Sequence, residues 1–169
     1  SDASSDRTDD IIRELQGEYP NLHFKRFAGR TGKAGILNQL IKETTADLVI
    51  FTDANIIFDE NTVSNLVAGM QNPKVGITGG RIIYTTSKNS GIGGQESTYL
   101  NFENKLKQAE SDLFGKAMGV EGGCYIIRRE LFTGIPPLYF MEDFYISMAT
   151  MKKKFAVKVN SDAICYEDA

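Results

Sequence analysis

Two short clusters, Asp53-Ala54-Asn55 and Glu142-Asp143, hold the side chains best suited to chemistry in this sequence. Asp53 and Asn55 leave the end of an apolar run two residues apart. Their oxygen atoms suit a hard divalent cation, magnesium or manganese, held against a diphosphate. Asp and Asn also favour turns and caps, so the cluster fits either role. Glu142-Asp143 follows Tyr139-Phe140-Met141 and precedes Phe144, Ile146 and Met148. A carboxylate in so apolar a setting can have its pKa tuned for general-base work. The pair equally suits the start of a helix, where the dipole favours acids.

Three further groups are weaker signals. Asp2 and Asp6 stand in a serine-rich stretch of the kind that caps helices. Gly29-Arg30-Thr31-Gly32-Lys33 resembles a phosphate loop but lacks its full spacing and its Lys-Ser/Thr ending. Arg30 and Lys33 still suit a diphosphate at a helix N-terminus, or a solvated basic turn. Gly122-Gly123 interrupts a strand-like segment, where glycine marks a bulge or a close approach by another strand or a sugar-sized ligand. His23 has no ligating neighbours in sequence and receives no role.

The elements that must hold these groups alternate between helix and strand, which predicts an α/β fold. Helical periodicity covers Asp9 to Tyr19, Ala34 to Glu43, Glu60 to Met70 and Ser97 to Ser111, with a short helix from Glu142. Strand patterns cover Leu22 to Phe27, Asp47 to Thr52, Val75 to Tyr84, Ala117 to Arg128, Phe155 to Val159 and Ile164 to Tyr166. The continuous run Leu-Val-Ile-Phe before Asp53 predicts a strand buried on both faces of a parallel sheet. A polar loop from Thr85 to Gly94 separates the two halves. Ligands collect beyond the carboxyl ends of strands in such sheets, which favours Asp53 as a site residue.

Composition narrows the class. The chain has 169 residues, 41% of them hydrophobic, enough for one packed domain. A net charge of -3 argues against nucleic acid as a partner. Two distant cysteines, Cys124 and Cys165, fit buried thiols in a reducing, cytoplasmic compartment better than a disulfide framework. No apolar run approaches the ~20 residues of a membrane span.

In their order and spacing these motifs resemble the family 2 glycosyltransferases of the GT-A fold. Ser1-Asp2-Ala3-Ser4-Ser5-Asp6-Arg7-Thr8 is similar to that family's Asp-Asp-Gly-Ser-x-Asp-x-Thr segment, and Gly32-Lys33 through Leu37-Asn38 to its Gly-Lys-x-x-x-Leu-Asn motif. Asp53-Ala54-Asn55 stands at its Asp-x-Asp motif. Gly122-Gly123 through Arg128-Arg129 resembles its acceptor-side segment, and Glu142-Asp143 its Glu-Asp pair.

The resemblance implies a GT-A-like, Rossmann-like, mixed and mostly parallel sheet flanked by helices. It implies one catalytic domain over 1–169, with a nucleotide-sugar and metal half (1–84) and an acceptor half (85–169). The activity it implies is inverting transfer from a nucleotide-sugar, UDP-linked, to a glycan or lipid acceptor. Asp143 is then the base; Asp53 and Asn55 hold a divalent cation, Mg or Mn; Asp2 and Lys33 contact the nucleotide; Glu142 and Gly123 lie near acceptor or sugar. Asn55 in place of the family's second aspartate lowers the expected cation affinity. The family's first strand precedes the segment matching Asp2, so the resemblance implies a chain truncated there, with poor donor binding, exposed sheet edges and self-association. It also implies a membrane-associated parent enzyme at a cytoplasmic face. A non-catalytic carbohydrate-binding or scaffolding module and a sugar-nucleotidyltransferase remain the competing functions.

Overall fold

Ahead of the first sheet strand the chain builds helices on a short extended segment. A computed structural model describes residues 1–85, 106, 109–111, 113, 117–137 and 139–168. These form two compact units, residues 1–44 with 135–138, and residues 45–134 with 139–169.

In the first unit, α1 (Thr8–Glu18) and α2 (Lys33–Glu43) match the predicted helices closely. The strand expected from Leu22 to Phe27 is not formed. Its backbone bonds to the chain start instead: the Ser1 amino group donates to Lys25 O at 2.8 Å, and Phe27 N donates to Ser1 O at 2.9 Å. The alternating pattern reported an extended segment correctly, but a pattern does not supply a sheet partner. Buried Asp9 pairs with Arg26, which ties α1 to the same segment. Asn38 of α2 clasps Ile135 twice, donating from Nδ2 to Ile135 O at 2.8 Å and accepting from Ile135 N at 2.7 Å.

The second unit is a five-stranded sheet with strand order β1-β4-β3-β5-β2, comprising β1 (Leu48–Thr52), β2 (Ile56–Phe58), β3 (Val75–Thr85), β4 (Cys124–Arg128) and β5 (Ala156–Asp168). Helix α3 (Thr62–Gly69) covers one face: Leu66 and Met70 pack with Val75, Ile82, Cys124, Ile126, Ala163 and Cys165. Helix α4 (Glu142–Lys152) covers the other, where Thr150 stands against Gly76 of β3.

The sheet is mixed, but the expectation of mostly parallel pairing is corrected. Among the described residues only β3 and β5 run parallel; β1 with β4, β4 with β3, and β2 with β5 are antiparallel. Helices on both faces give near-continuous apolar strands whatever their direction, so the pattern reported burial rather than polarity. β1 is also only half-buried, because it ends the described strand order and pairs on one flank in this sheet.

Two other boundaries move. The two expected C-terminal strands form one, β5, whose register against β3 is interrupted between Gly79 and Arg81. The polar stretch that split the pattern is held there by Asn65, which donates to Asp162 O at 2.6 Å and accepts at its own carbonyl from Asn160 Nδ2 at 2.9 Å. The strand expected from Ala117 is confined to Cys124–Arg128. Most of the loop expected from Thr85 to Gly94 and of the helix from Ser97 to Ser111 lies outside the described residues. Cys124 and Cys165 are buried free thiols, as the composition suggested. No helix among the described residues is long and apolar enough to cross a membrane.

Candidate active site

A cavity of about 460 Å³ opens where β1, β3, β4 and β5 meet the start of α4. Its wall includes the carboxylates Asp53, Asp143 and Glu167, the turn Glu121-Gly122-Gly123, and the apolar side chains Met118, Met141 and Phe144. The volume is that of a small-molecule site, and the mixture of an apolar wall with a few convergent polar groups is what such sites require.

Asp53 is the first residue after β1, and its backbone N donates to Gly123 O at 3.2 Å. That bond joins the end of β1 to the turn before β4. Gly123 is buried, and a Cβ there would stand 2.7 Å from Ile82 Cδ1 and 3.1 Å from Ile56 Cδ1. Gly123 is thus explained by close approach of neighbouring strands, whereas the neighbour of Gly122 is the Asp143 side chain.

Asp143 is half-buried, and its carboxylate lies over Gly122; a Cβ on that glycine would meet Asp143 Oδ2 at 3.4 Å. Glu142 and Asp143 occupy the first turn of α4, where the helix dipole favours them. Neither is the N-cap: Met141 holds that position and makes no side-chain cap bond. Ser147 Oγ donates to Asp143 O at 2.8 Å and accepts from Val120 N at 3.4 Å, linking the first turn of α4 to the cavity wall. Glu142 is buried and does not line the cavity.

Beneath these acids lies Tyr125, 1% exposed, its ring 5.2 Å from that of Phe51. Burial above all, then the charges of Asp143, Glu142 and Asp53, push its phenol well above the ordinary tyrosine range. Its hydroxyl has no hydrogen-bond partner among the described residues. Sequence reasoning passed over Tyr125, which reads as one more apolar position of β4.

Asn55 is exposed, and its Nδ2 donates to Glu167 Oε1 at 2.9 Å. Sequence reasoning missed Glu167 because it depends on β2, a three-residue strand that the pattern did not reveal. Pairing of Ile56 with Glu167 brings Asn55 and Glu167, 112 positions apart in sequence, within hydrogen-bond reach. Asp53, Asn55 and Glu167 are all hard oxygen donors, which fits magnesium or manganese. Among the described residues no three His, Cys, Asp or Glu side chains converge as a metal cage. Magnesium commonly takes one or two carboxylates and completes its shell with substrate phosphates and water, so the donor set still fits.

In the first unit, Asp2 accepts from Thr31 N at 2.6 Å and Gly32 N at 2.9 Å. These backbone bonds, with the nearby Arg30 charge, hold its carboxyl below the ordinary aspartate range. Gly32 has φ 75°, a conformation open to glycine, and caps α2, so that Lys33 opens the helix. Arg128 and Arg129, at the end of the glycine-led motif, serve the fold. Arg128 donates to the carbonyls of Val75, Met70 and Asn72 at 2.9, 2.7 and 3.2 Å, and Arg129 to Ala46 O at 2.8 Å.

The sequence profile of Glycosyl transferase family 2 matches residues 1–135. The chain belongs to that family. Among solved structures, this family 2 chain resembles the mannosyltransferase PcManGT from Pyrobaculum calidifontis in complex with GDP-Man and Mn2+, with a TM-score of 0.74 and 22% identity over 98% of the chain and 45% of the other. It also resembles GalNAc-T7 with UDP, GalNAc and Mn2+, with a TM-score of 0.71 and 14% identity over 99% of the chain and 36% of the other. The family 2 chain therefore spans less than half the length of either, and the likeness establishes the expected α/β GT-A fold. No curated protein matches its sequence.

Proposed function

We propose that this protein is an inverting glycosyltransferase that moves a sugar from a nucleoside-diphosphate donor to a hydroxyl of a glycan or lipid acceptor. The observation that carries this reading is the single cavity lined by Asp53, Gly123 and Asp143, three motif residues separated by up to 90 positions in sequence. Asp143 is the general base: its carboxylate faces the cavity from a helix start whose other ties do not use its side chain. It takes the proton of the acceptor hydroxyl as that oxygen bonds to the anomeric carbon, and the bond to the diphosphate breaks. The anomeric configuration inverts in this single displacement.

Asp53 and Asn55 would hold a divalent cation, which when bound supplies positive charge to a diphosphate. Base and cation act on different oxygens, which calls for separate groups. Asp2 and Lys33 are assigned to the nucleotide by the motifs they match, and buried Glu142 to the sugar side. Both of these solved structures carry Mn2+, one with GDP-Man and one with UDP and GalNAc, which supports a diphosphate-linked donor without choosing the base.

The test is a donor panel of GDP- and UDP-linked sugars with Mn2+ and Mg2+, following nucleotide release and sugar transfer. Release and transfer that Asp53→Ala abolishes support the reading. Carbohydrate binding without turnover of any donor refutes it in favour of a binding module.

A further inference from the structure

We infer that Glu167 is a positioning residue that holds the amide of Asn55 with its oxygen, not its nitrogen, presented to the cation. The inference rests on the reading of Asp53 and Asn55 as the cation site. An asparagine side chain is nearly symmetric in shape, yet only its Oδ1 can ligate a hard cation; turned over, it offers two N–H donors instead. Something must choose between the two orientations.

The choice is made by a group that can only accept. Glu167 Oε1 takes a hydrogen bond from Asn55 Nδ2 at 2.9 Å, and an ionised carboxylate has no proton to offer the amide oxygen. Register brings the two within reach, because Ile56 is matched with Glu167 across β2 and β5 and Asn55 lies in the turn just before β2. Glu167 is itself half-buried and lines the cavity with Asp53 and Asp143. Its charge also polarises the amide, drawing electron density towards Oδ1, as a carboxylate behind a metal-bound histidine strengthens that ligand. Glu167 thereby returns, one residue further out, the negative charge that an aspartate at position 55 would have supplied.

Position 55 distinguishes this role from direct contact of Glu167 with the cation. An aspartate at position 55 presents oxygen in either orientation, so it needs no positioning. Mn2+ binding, measured by electron paramagnetic resonance in the presence of GDP or UDP, is compared for the unsubstituted protein, E167Q, N55D and N55D/E167Q. E167Q is expected to weaken Mn2+ about 10–100-fold, the usual effect of losing such a supporting partner. On the N55D background the same change is expected to cost nothing or to improve binding, since it removes a like charge. Glu167→Asp, which keeps an acceptor, is expected to recover part of the loss.

Unchanged Mn2+ affinity in E167Q overturns the inference, and an equal loss on both backgrounds overturns it in favour of direct ligation. Loss of Mn2+ in Asp53→Asn with no effect of E167Q removes this inference alone, whereas indifference to Asp53→Asn removes the cation site as well. A measurement without substitution stands beside these in case E167Q does not fold. Mg2+ added with GDP or UDP is expected to shift the Asn55 side-chain carbonyl carbon in NMR, and a carbon that does not respond overturns the assignment.

Discussion

Replacing Asp143 by asparagine removes a charge and almost nothing else. The side chain keeps its size above Gly122, where an added Cβ would stand 3.4 Å from Oδ2, and the bond from Ser147 Oγ ends on the Asp143 backbone carbonyl, which survives. The first turn of α4 retains Glu142, so the lost dipole interaction costs about 0.3–1 kcal/mol of stability. Loss of a general base slows transfer by ~10²–10⁴-fold, which at 1.36 kcal/mol per decade raises the barrier by about 2.7–5.4 kcal/mol. The expected outcome is therefore a fall in kcat of that size, with donor affinity by calorimetry unchanged and a slightly lower melting temperature. A fall in donor affinity as large as the fall in kcat refutes the assignment of Asp143 as base. A second readout sits beneath the site: Asp143 is the leading charge that raises the Tyr125 phenol, so the variant lowers the alkaline titration of that tyrosine. An unmoved phenol contradicts the proximity on which the argument rests.

Tyr125 gives a pH prediction for the parent protein as well. Its phenol is raised in the folded state, so its contribution to stability is complete below the ordinary tyrosine pKa and is lost as pH climbs above it. Alkaline unfolding is expected to be shallower in Tyr125→Phe, and denaturation curves against pH check this. Asp2 has the opposite sign: its carboxyl is depressed, so its hold on Thr31 and Gly32 persists above the ordinary aspartate pKa and fails as pH drops through its lowered value. NMR titration is expected to show the Thr31 and Gly32 amides moving together with the Asp2 carboxyl. Arg128→Met leaves three backbone carbonyls without their donor and is expected to cost on the order of 3 kcal/mol, read by urea unfolding, with little effect on donor affinity.

Much of this arrangement was legible in the residues. Asp53 does follow directly on a strand, and the acids at 142 and 143 do open a helix, because apolar periodicity reports local structure directly. The helices α1 and α2 fell within a residue or two of their expected limits for the same reason. What the pattern lacked was partnership. It could not show that β4 returns antiparallel between β1 and β3, nor that Leu22 to Phe27 bonds to Ser1 instead of a strand. Glu167 was invisible as a site residue because its place depends on β2, three residues long, and on a bulge in β5 that sets the register. Asn38 and Arg128 sit in motifs that suggest ligand contacts, yet their hydrogen bonds run to backbone carbonyls and an amide of the fold itself. Motif spacing identifies such residues without separating those that hold the scaffold from those that face the cavity.

The stereochemistry of the product separates single displacement from a mechanism with retention. NMR of the sugar transferred from a donor of defined anomeric configuration is expected to show the opposite configuration, as single displacement assisted by Asp143 requires. A product that retains the donor's configuration contradicts that mechanism.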